Sequence, residues 1–268
     1  MGYMKNYMSN LEIKEDLILM INNLKESDFN EILIDSFKES IYFTFTNKGH
    51  QLIKIIKSIP KVIKSTSEFL KSIKIEDIKK FKFKKLLYIP KNILSESKKI
   101  IQEKYTEFNN LTFKEKKGKI VNVLLFSLMT LITAGGVDLE GGVPDLDIKL
   151  FGIGGHRNIF FHSIIIGFIL EFSLRFILKL VQKSKEYGYL PSNIFWKTIY
   201  NLSLREDVLV NGAWIGLSLH FFKDANIFGG RVKPYSGIRG KSMSFHKRLF
   251  ATNGLIAGIF GIKKKDNN

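Results

Sequence analysis

Four apolar stretches in the second half of the chain constrain its fold most: Ile120–Ala134, Ile159–Leu170, Val208–Phe222 and Leu249–Ile262. Polar residues interrupt them, among them Asn122, Ser127, Thr130 and Thr133 in the first, His162 and Ser163 in the second, Asn211 and His220 in the third. The fourth is rich in glycine. None reaches the roughly 18–20 clean apolar residues that span a bilayer. Each can span only if it tilts or turns its polar residues into a bundle. The expected fold is therefore all-α, a bundle of apolar helices able to enter a membrane or to form the core of a soluble domain. Ile41–Thr46 (IYFTFT) alternates and reads as one short strand or as helix.

Charge divides the chain by texture. The 268 residues carry 42 Lys+Arg against 25 Asp+Glu, a net +17. Such an excess points to an anionic partner: membrane lipid, nucleic acid or a phosphorylated substrate. From Lys54 to Lys85 there are eleven Lys against Glu68, Glu76 and Asp77, with Ile and Leu recurring at helical spacing. That pattern predicts basic amphipathic helices, ended or kinked at Pro60 and Pro90. Residues 11–46 read as two helices around a polar break near Lys25–Asp28. No leader segment is expected at the polar N-terminus. The expected division is a basic helical region over 1–115 and a second helical domain over 116–265.

Acids are scarce beyond residue 120, and five of the ten there (Asp138, Glu140, Asp145, Asp147, Asp224) sit in glycine-rich or apolar settings. Four of the five His (His156, His162, His220, His246) share that half. The chain has no Cys. Any metal must therefore be held by His, Asp, Glu or backbone oxygen. Read as extended chain, Pro144-Asp145-Leu146-Asp147 turns both carboxylates toward one point. His156, Arg157, His162 and Ser163 follow across Gly152, Gly154 and Gly155. His220 and Asp224 share one helix face. Two carboxylates and three imidazoles can hold one or two cations, and the planar charge of Arg157 suits a neighbouring phosphate. Taken singly, each residue also has a structural role: a hydrogen-bonded core His, a turn Asp, an i,i+4 pair. His246, between Lys241 and Arg248, is a candidate general acid or phosphate-patch member, although an exposed basic loop accounts for it better. His50 reads as an incidental turn residue.

Four blocks in order resemble the YdjM-like family of inner-membrane-associated, metal-dependent hydrolases. They are Pro144-Asp145-x-Asp147, then His156-Arg157-x4-His162-Ser163, then Gly216-x3-His220-x3-Asp224, then Gly230-x3-Pro234-Tyr235-Ser236. The resemblance covers roughly residues 120–262 and leaves 1–115 unmatched. It implies that Asp145, Asp147, His156, His162, His220 and Asp224 hold a divalent cation, Zn first among Zn, Mn, Fe and Mg. It also implies a helical body associated with a bacterial inner membrane. Asn158 stands where the family has Gly, Ile148 where His is frequent, and Ala225-Asn226-Ile227 where Leu-Thr-Pro is usual.

The function expected from these observations is metal-dependent hydrolysis of a phosphoester, including a phospholipid, with Arg157 on the phosphate and basic helices on anionic lipid. A nuclease or nucleic-acid-binding protein is the second expectation. A non-enzymatic membrane protein, its polar residues gluing helices together, is the third.

Overall fold

The computed structural model describes residues 10–41, 99, 102–227 and 233–262. It is all-α, and the described residues contain no strand. The helices are α1 (Asn10–Asn23), α2 (Glu26–Phe37), α3 (Phe113–Ala134), α4 (Leu146–Phe151), α5 (Ile164–Glu186), α6 (Ile194–Ser203), α7 (Glu206–Asp224) and α8 (Met243–Gly261). The Lys-rich stretch Lys54–Lys85, both prolines expected to break it, His50 and Gly230 lie outside the described residues. So does the alternating segment after Ile41.

Two compact units emerge: Met1–His50 with Leu124–Asn268, and Gln51–Val123. This differs from the expected boundary near residue 115. The N-terminal helices α1 and α2 pack on α5, within the unit that holds the acid and His blocks. Met20 of α1 joins Val181 of α5 and Trp196 of α6 in one cluster. Leu24 and Ile32 join Leu180 in another. The amphipathic spacing of residues 11–37 serves this packing. Each large apolar side chain fully buried there contributes about 1.5–3 kcal/mol.

At the centre lies α7. It is apolar nearly all round and buries Leu209, Val210, Ala213, Trp214, Leu217 and Phe221, as an internal helix must. Its Trp214 ring meets Phe168 of α5 and Phe260 of α8 edge-on, with centroids 5.4 and 5.1 Å apart. The backbone of α3 approaches closely at Gly212 and Gly216: a Cβ on Gly212 would stand 2.7 Å from the Phe126 carbonyl oxygen. The Thr130 hydroxyl donates to the Gly212 carbonyl across the same contact, at 3.1 Å. Among the described residues, α3 is the helix long and apolar enough to cross a membrane, and only 17% of its most apolar window is buried.

Helix ends follow the local sequence. Ser163, Asn193 and Ser242 cap α5, α6 and α8 by accepting from Ile165, Trp196 and Phe245 N–H. The apolar stretch expected from Ile159 therefore begins as a turn and becomes helix only at Ile164. Gly135, at φ +93°, ends α3 where a side chain would collide with the Glu140 carbonyl.

One buried ionic network crosses the bundle. Arg175 of α5 pairs with Glu171 at 2.9 Å, with Glu206 at the start of α7, and with Glu39 at 3.1 Å. Glu171 also accepts from the Trp214 indole N–H at 2.6 Å. Removing one partner of such a network leaves a buried charge uncompensated, which costs about 3–5 kcal/mol. Arg175→Ala is expected to lower the thermal unfolding midpoint sharply, with Arg175→Lys intermediate, as circular dichroism melts will show.

Candidate metal centre

Six expected residues from three chain segments converge beside the C-terminal end of α7. The segment Asp145–Asp147 opens α4, His156 and His162 flank the turn before α5, and His220 and Asp224 sit one turn apart on α7. Asp147, His162, His220 and Asp224 are buried.

Four atoms form a closed ring. Asp145 Oδ1 stands 3.4 Å from His162 Nε2 and 3.5 Å from His220 Nε2. Asp224 Oδ2 stands 3.5 Å from His162 Nε2 and 3.7 Å from His220 Nε2. The Nε2 of His156 is 3.7 Å from the same Asp145 oxygen. Ligands held about 2.1 Å from one four-coordinate cation are about 3.4 Å apart, so each of these neighbouring pairs has the spacing of two ligands on one cation. Asp145, His156 and His162 form one set of ligand atoms within 4.8 Å of one another, and His162, His220 and Asp224 form another.

The outer faces of these side chains are tied down. His220 Nδ1–H donates to the Ala134 carbonyl at 3.0 Å, which leaves Nε2 as the lone-pair nitrogen. His156 Nδ1 is 3.0 Å from Asp147 Oδ1, and His162 Nδ1 is 3.3 Å from Asp147 Oδ2. Asn158 N–H donates to Asp147 Oδ2 at 2.9 Å. A carboxylate behind two imidazoles fixes their rings and raises their basicity, as it does around metal-ligating His. Gly141 N–H donates to Asp145 Oδ2 at 2.7 Å, leaving Oδ1 on the ring.

Asp147 therefore departs from its expected role as a ligand. The extended path assumed for Pro144–Asp147 is a helix start: Asp145 is the cap of α4 and Asp147 its second residue. Residues two apart on a helix point about 200° apart. Asp145 meets the imidazoles on their Nε2 side and Asp147 on their Nδ1 side. Arg157 departs as well. Its Nε and Nη2 donate to Asp224 Oδ1, both at 3.3 Å, and so aim Oδ2 at the ring. It takes φ 64°, unusual for a residue with a side chain. His246 is neither in a loop nor exposed. Ser242 starts α8 before it, and it is buried, with Nδ1 accepting from Tyr235 N–H at 3.3 Å. It does not line the cleft over the ring.

The Pro-Tyr-Ser block explains itself in three dimensions. Tyr235 stacks on Phe250 at 3.9 Å and donates its hydroxyl to the His162 carbonyl at 2.7 Å. Ser236 N–H donates to the Arg157 carbonyl at 3.1 Å. Asn253 of α8, unmarked in the sequence, donates to the Tyr235 oxygen at 3.2 Å and accepts from Ile164 N–H. Asn158, where the resemblance expects Gly, contributes a backbone N–H that any residue except Pro supplies.

Electrostatics favour a cation. Burial opposes charge on Asp145, but His162, His220 and the Gly141 N–H outweigh it and hold the carboxyl well below its usual range. Burial acts likewise on Asp147, and His162, His156 and Asn158 N–H bring it to about 2. Desolvation pulls the His162 pKa down, and the surrounding Asp145, Asp147 and Asp224 push it up by more. His162 Nε2 and Asp224 Oδ2, the atoms that face each other at 3.5 Å, are buried without a hydrogen-bond partner. Buried polar atoms left so are rare, and an ion between them is one way to satisfy both. The donor set, the ring size and these orphaned atoms fit a divalent cation.

Above the ring opens a cleft of about 450 Å³, lined by Asp145, His156, His220 and Asp224. The lysines of its wall are Lys149, Lys223 and Lys233. Lys223 pairs with Glu140 at 2.9 Å and donates to the Leu139 carbonyl, anchoring the glycine-rich strap between α3 and α4.

No family model, curated protein or solved structure matches the chain.

Removal of a ring donor and removal of its support are expected to differ. His162→Ala and Asp224→Ala should abolish stoichiometric metal in the purified protein. Asp147→Asn should weaken affinity about 10–100-fold without abolishing it. Mass-spectrometric metal content and competition with a chelator read both.

Proposed function

We propose that the chain is a membrane-associated, metal-dependent hydrolase of phosphoesters. The observation that carries this reading is a ring of carboxylates and imidazoles opening into a cleft whose wall carries Lys149 and Lys233, with Lys223 paired to Glu140. Zn²⁺ is the favoured cation, since nitrogen and oxygen donors at tetrahedral spacing suit it. When bound, such a cation lowers the pKa of water toward neutrality and polarises a phosphoryl oxygen.

The chain's own residues supply the rest. Asp147 and the Ala134 carbonyl hold the imidazoles in the tautomer that presents Nε2. Arg157 orients Asp224. Lys149 and Lys233 line the cleft where a phosphate anion would sit, and each adds a charge-assisted hydrogen-bond donor. The four motif blocks that resemble the YdjM-like family support the same class of chemistry. Membrane association draws on α3, long and apolar enough to span, and on the net +17.

The purified full chain, loaded with Zn²⁺, is expected to hydrolyse a chromogenic phosphodiester, and chelation should abolish turnover. Equal turnover after verified metal removal would refute the reading. Lys149→Gln with Lys233→Gln should raise KM about 10-fold with a smaller change in kcat, because both contribute ground-state binding of the anion. Single-stranded DNA serves as the competing substrate. Faster cleavage of DNA than of the small diester and of phospholipid would replace the proposal with a nuclease.

A further inference from the structure

We propose that the rim of the cleft formed by α4 and the turn after it docks on the surface of an anionic lipid bilayer, presenting the centre to an amphiphilic phosphoester held there. This inference rests on the phosphoester reading above and specifies its substrate class.

The segment is inside out. Asp147, the carboxylate of α4, is fully buried under the ring, while Leu150, Phe151 and Ile153 of the same short stretch face outward. Leu150 is 65% exposed, Phe151 58% and Ile153 77%. Phe160, beyond the His156 turn, is 60% exposed. The cause is the centre itself. Carboxylate and imidazoles take the inward positions, so the apolar side chains of a six-residue helix are left on the other side. A helix that aims its carboxylate inward and its apolar side chains outward, with a lysine among them, fits an exterior that is apolar and anionic.

Charge complementarity says which exterior. Lys149 lies in the same helix, exposed, on the cleft wall. Arg239 donates to the Gly154 carbonyl at 2.9 Å and places a second cation beside Ile153. Lys233 supplies a third on the cleft wall. Cations among exposed aliphatic and aromatic side chains match the boundary where anionic head groups meet acyl chains. A purely apolar partner would leave these charges desolvated and unpaired.

Continuity with α3 points the same way. Leu124, Leu128, Leu131 and Ile132 are exposed along that helix, which ends at Ala134, the residue that holds His220. A bilayer that takes α3 thus reaches one edge of the centre, where Val143 N–H of the strap leading to α4 donates to the Thr133 carbonyl at 3.1 Å. The substrate then enters head group first, its acyl part remaining outside among Leu150, Phe151 and Phe160. The cleft need hold only the phosphate and its neighbouring atoms.

The experiment introduces a reporter on the rim of the full-length protein. Leu150→Trp, and separately Phe160→Trp, are reconstituted with phosphatidylcholine–phosphatidylglycerol vesicles whose acyl chains are brominated near the head groups. Native Trp196 and Trp214 are buried and serve as the background. The expected result is a blue-shifted emission, with the added Trp quenched about twofold in bromolipid. Quenching should be weaker in vesicles of phosphatidylcholine alone. The proposal is overturned if the protein floats with the vesicles and the added Trp stays unquenched, or if neutral and anionic vesicles quench equally. Metal content is measured on the same samples. Quenching without bound metal would sink the phosphoester reading alone, and bound metal without quenching would sink the docking alone.

Discussion

The buried carboxylate of Asp147 is the interaction on which the centre depends. It lies behind His156 and His162 and accepts the Asn158 N–H. Without it, two imidazoles on a glycine-rich turn would be free to rotate or to take the other tautomer. With it, both present Nε2 to Asp145 Oδ1, and His162 to Asp224 Oδ2 as well. Burying one carboxylate under two imidazoles is costly in isolation, and His156 Nδ1 and the Asn158 N–H offset that cost by hydrogen-bonding its two oxygens. Everything above the ring, including the outward apolar face of α4, follows from that inward placement.

The bundle supports this point from several directions at once. α7 brings His220 and Asp224 on one face, and its glycines let α3 approach until the Ala134 carbonyl reaches the His220 ring. α8 brings Phe250 and Asn253 under Tyr235, which in turn fixes the His162 carbonyl. α5 begins only after Ser163, so His162 stands at a cap and not inside a helix. The Arg175 network lies away from the ring and ties α5 to α7 and the end of α2, so the frame is set by interactions the centre does not share.

Much of this was legible in sequence, for identifiable reasons. Helical periodicity and interrupted apolar runs are local properties, and they specify an all-α chain. The convergence of Asp145, His156, His162, His220 and Asp224 could be suspected because acids and His are rare in that half and concentrate in a few places. What could not be read was direction. Whether Pro144–Asp147 is extended or helical decides which side of an imidazole each carboxylate meets, and a capped two-residue advance is invisible to spacing alone. The same holds for Arg157, whose partner Asp224 lies 67 residues away. His246 looked exposed because its neighbours Lys247 and Arg248 are basic, yet one helical turn from the cap faces it inward. Ala134 and Asn253 carry no sequence signal, since one contributes a carbonyl and the other a generic amide.

The chain has no cysteine and hence no covalent cross-link. Its ring atoms nevertheless come from Asp145, His162, His220 and Asp224, with His156 beside Asp145 and the end of α3 one hydrogen bond behind. A cation held there would be a tie between distant points of the polymer, closing a long loop between α4 and the end of α7. Such an ion binds the folded chain and not the unfolded one, so its binding free energy adds directly to the stability of the fold. Unlike a disulfide, this tie is governed by metal supply and not by redox state, so the tightness of the polymer would follow the ion content of its surroundings.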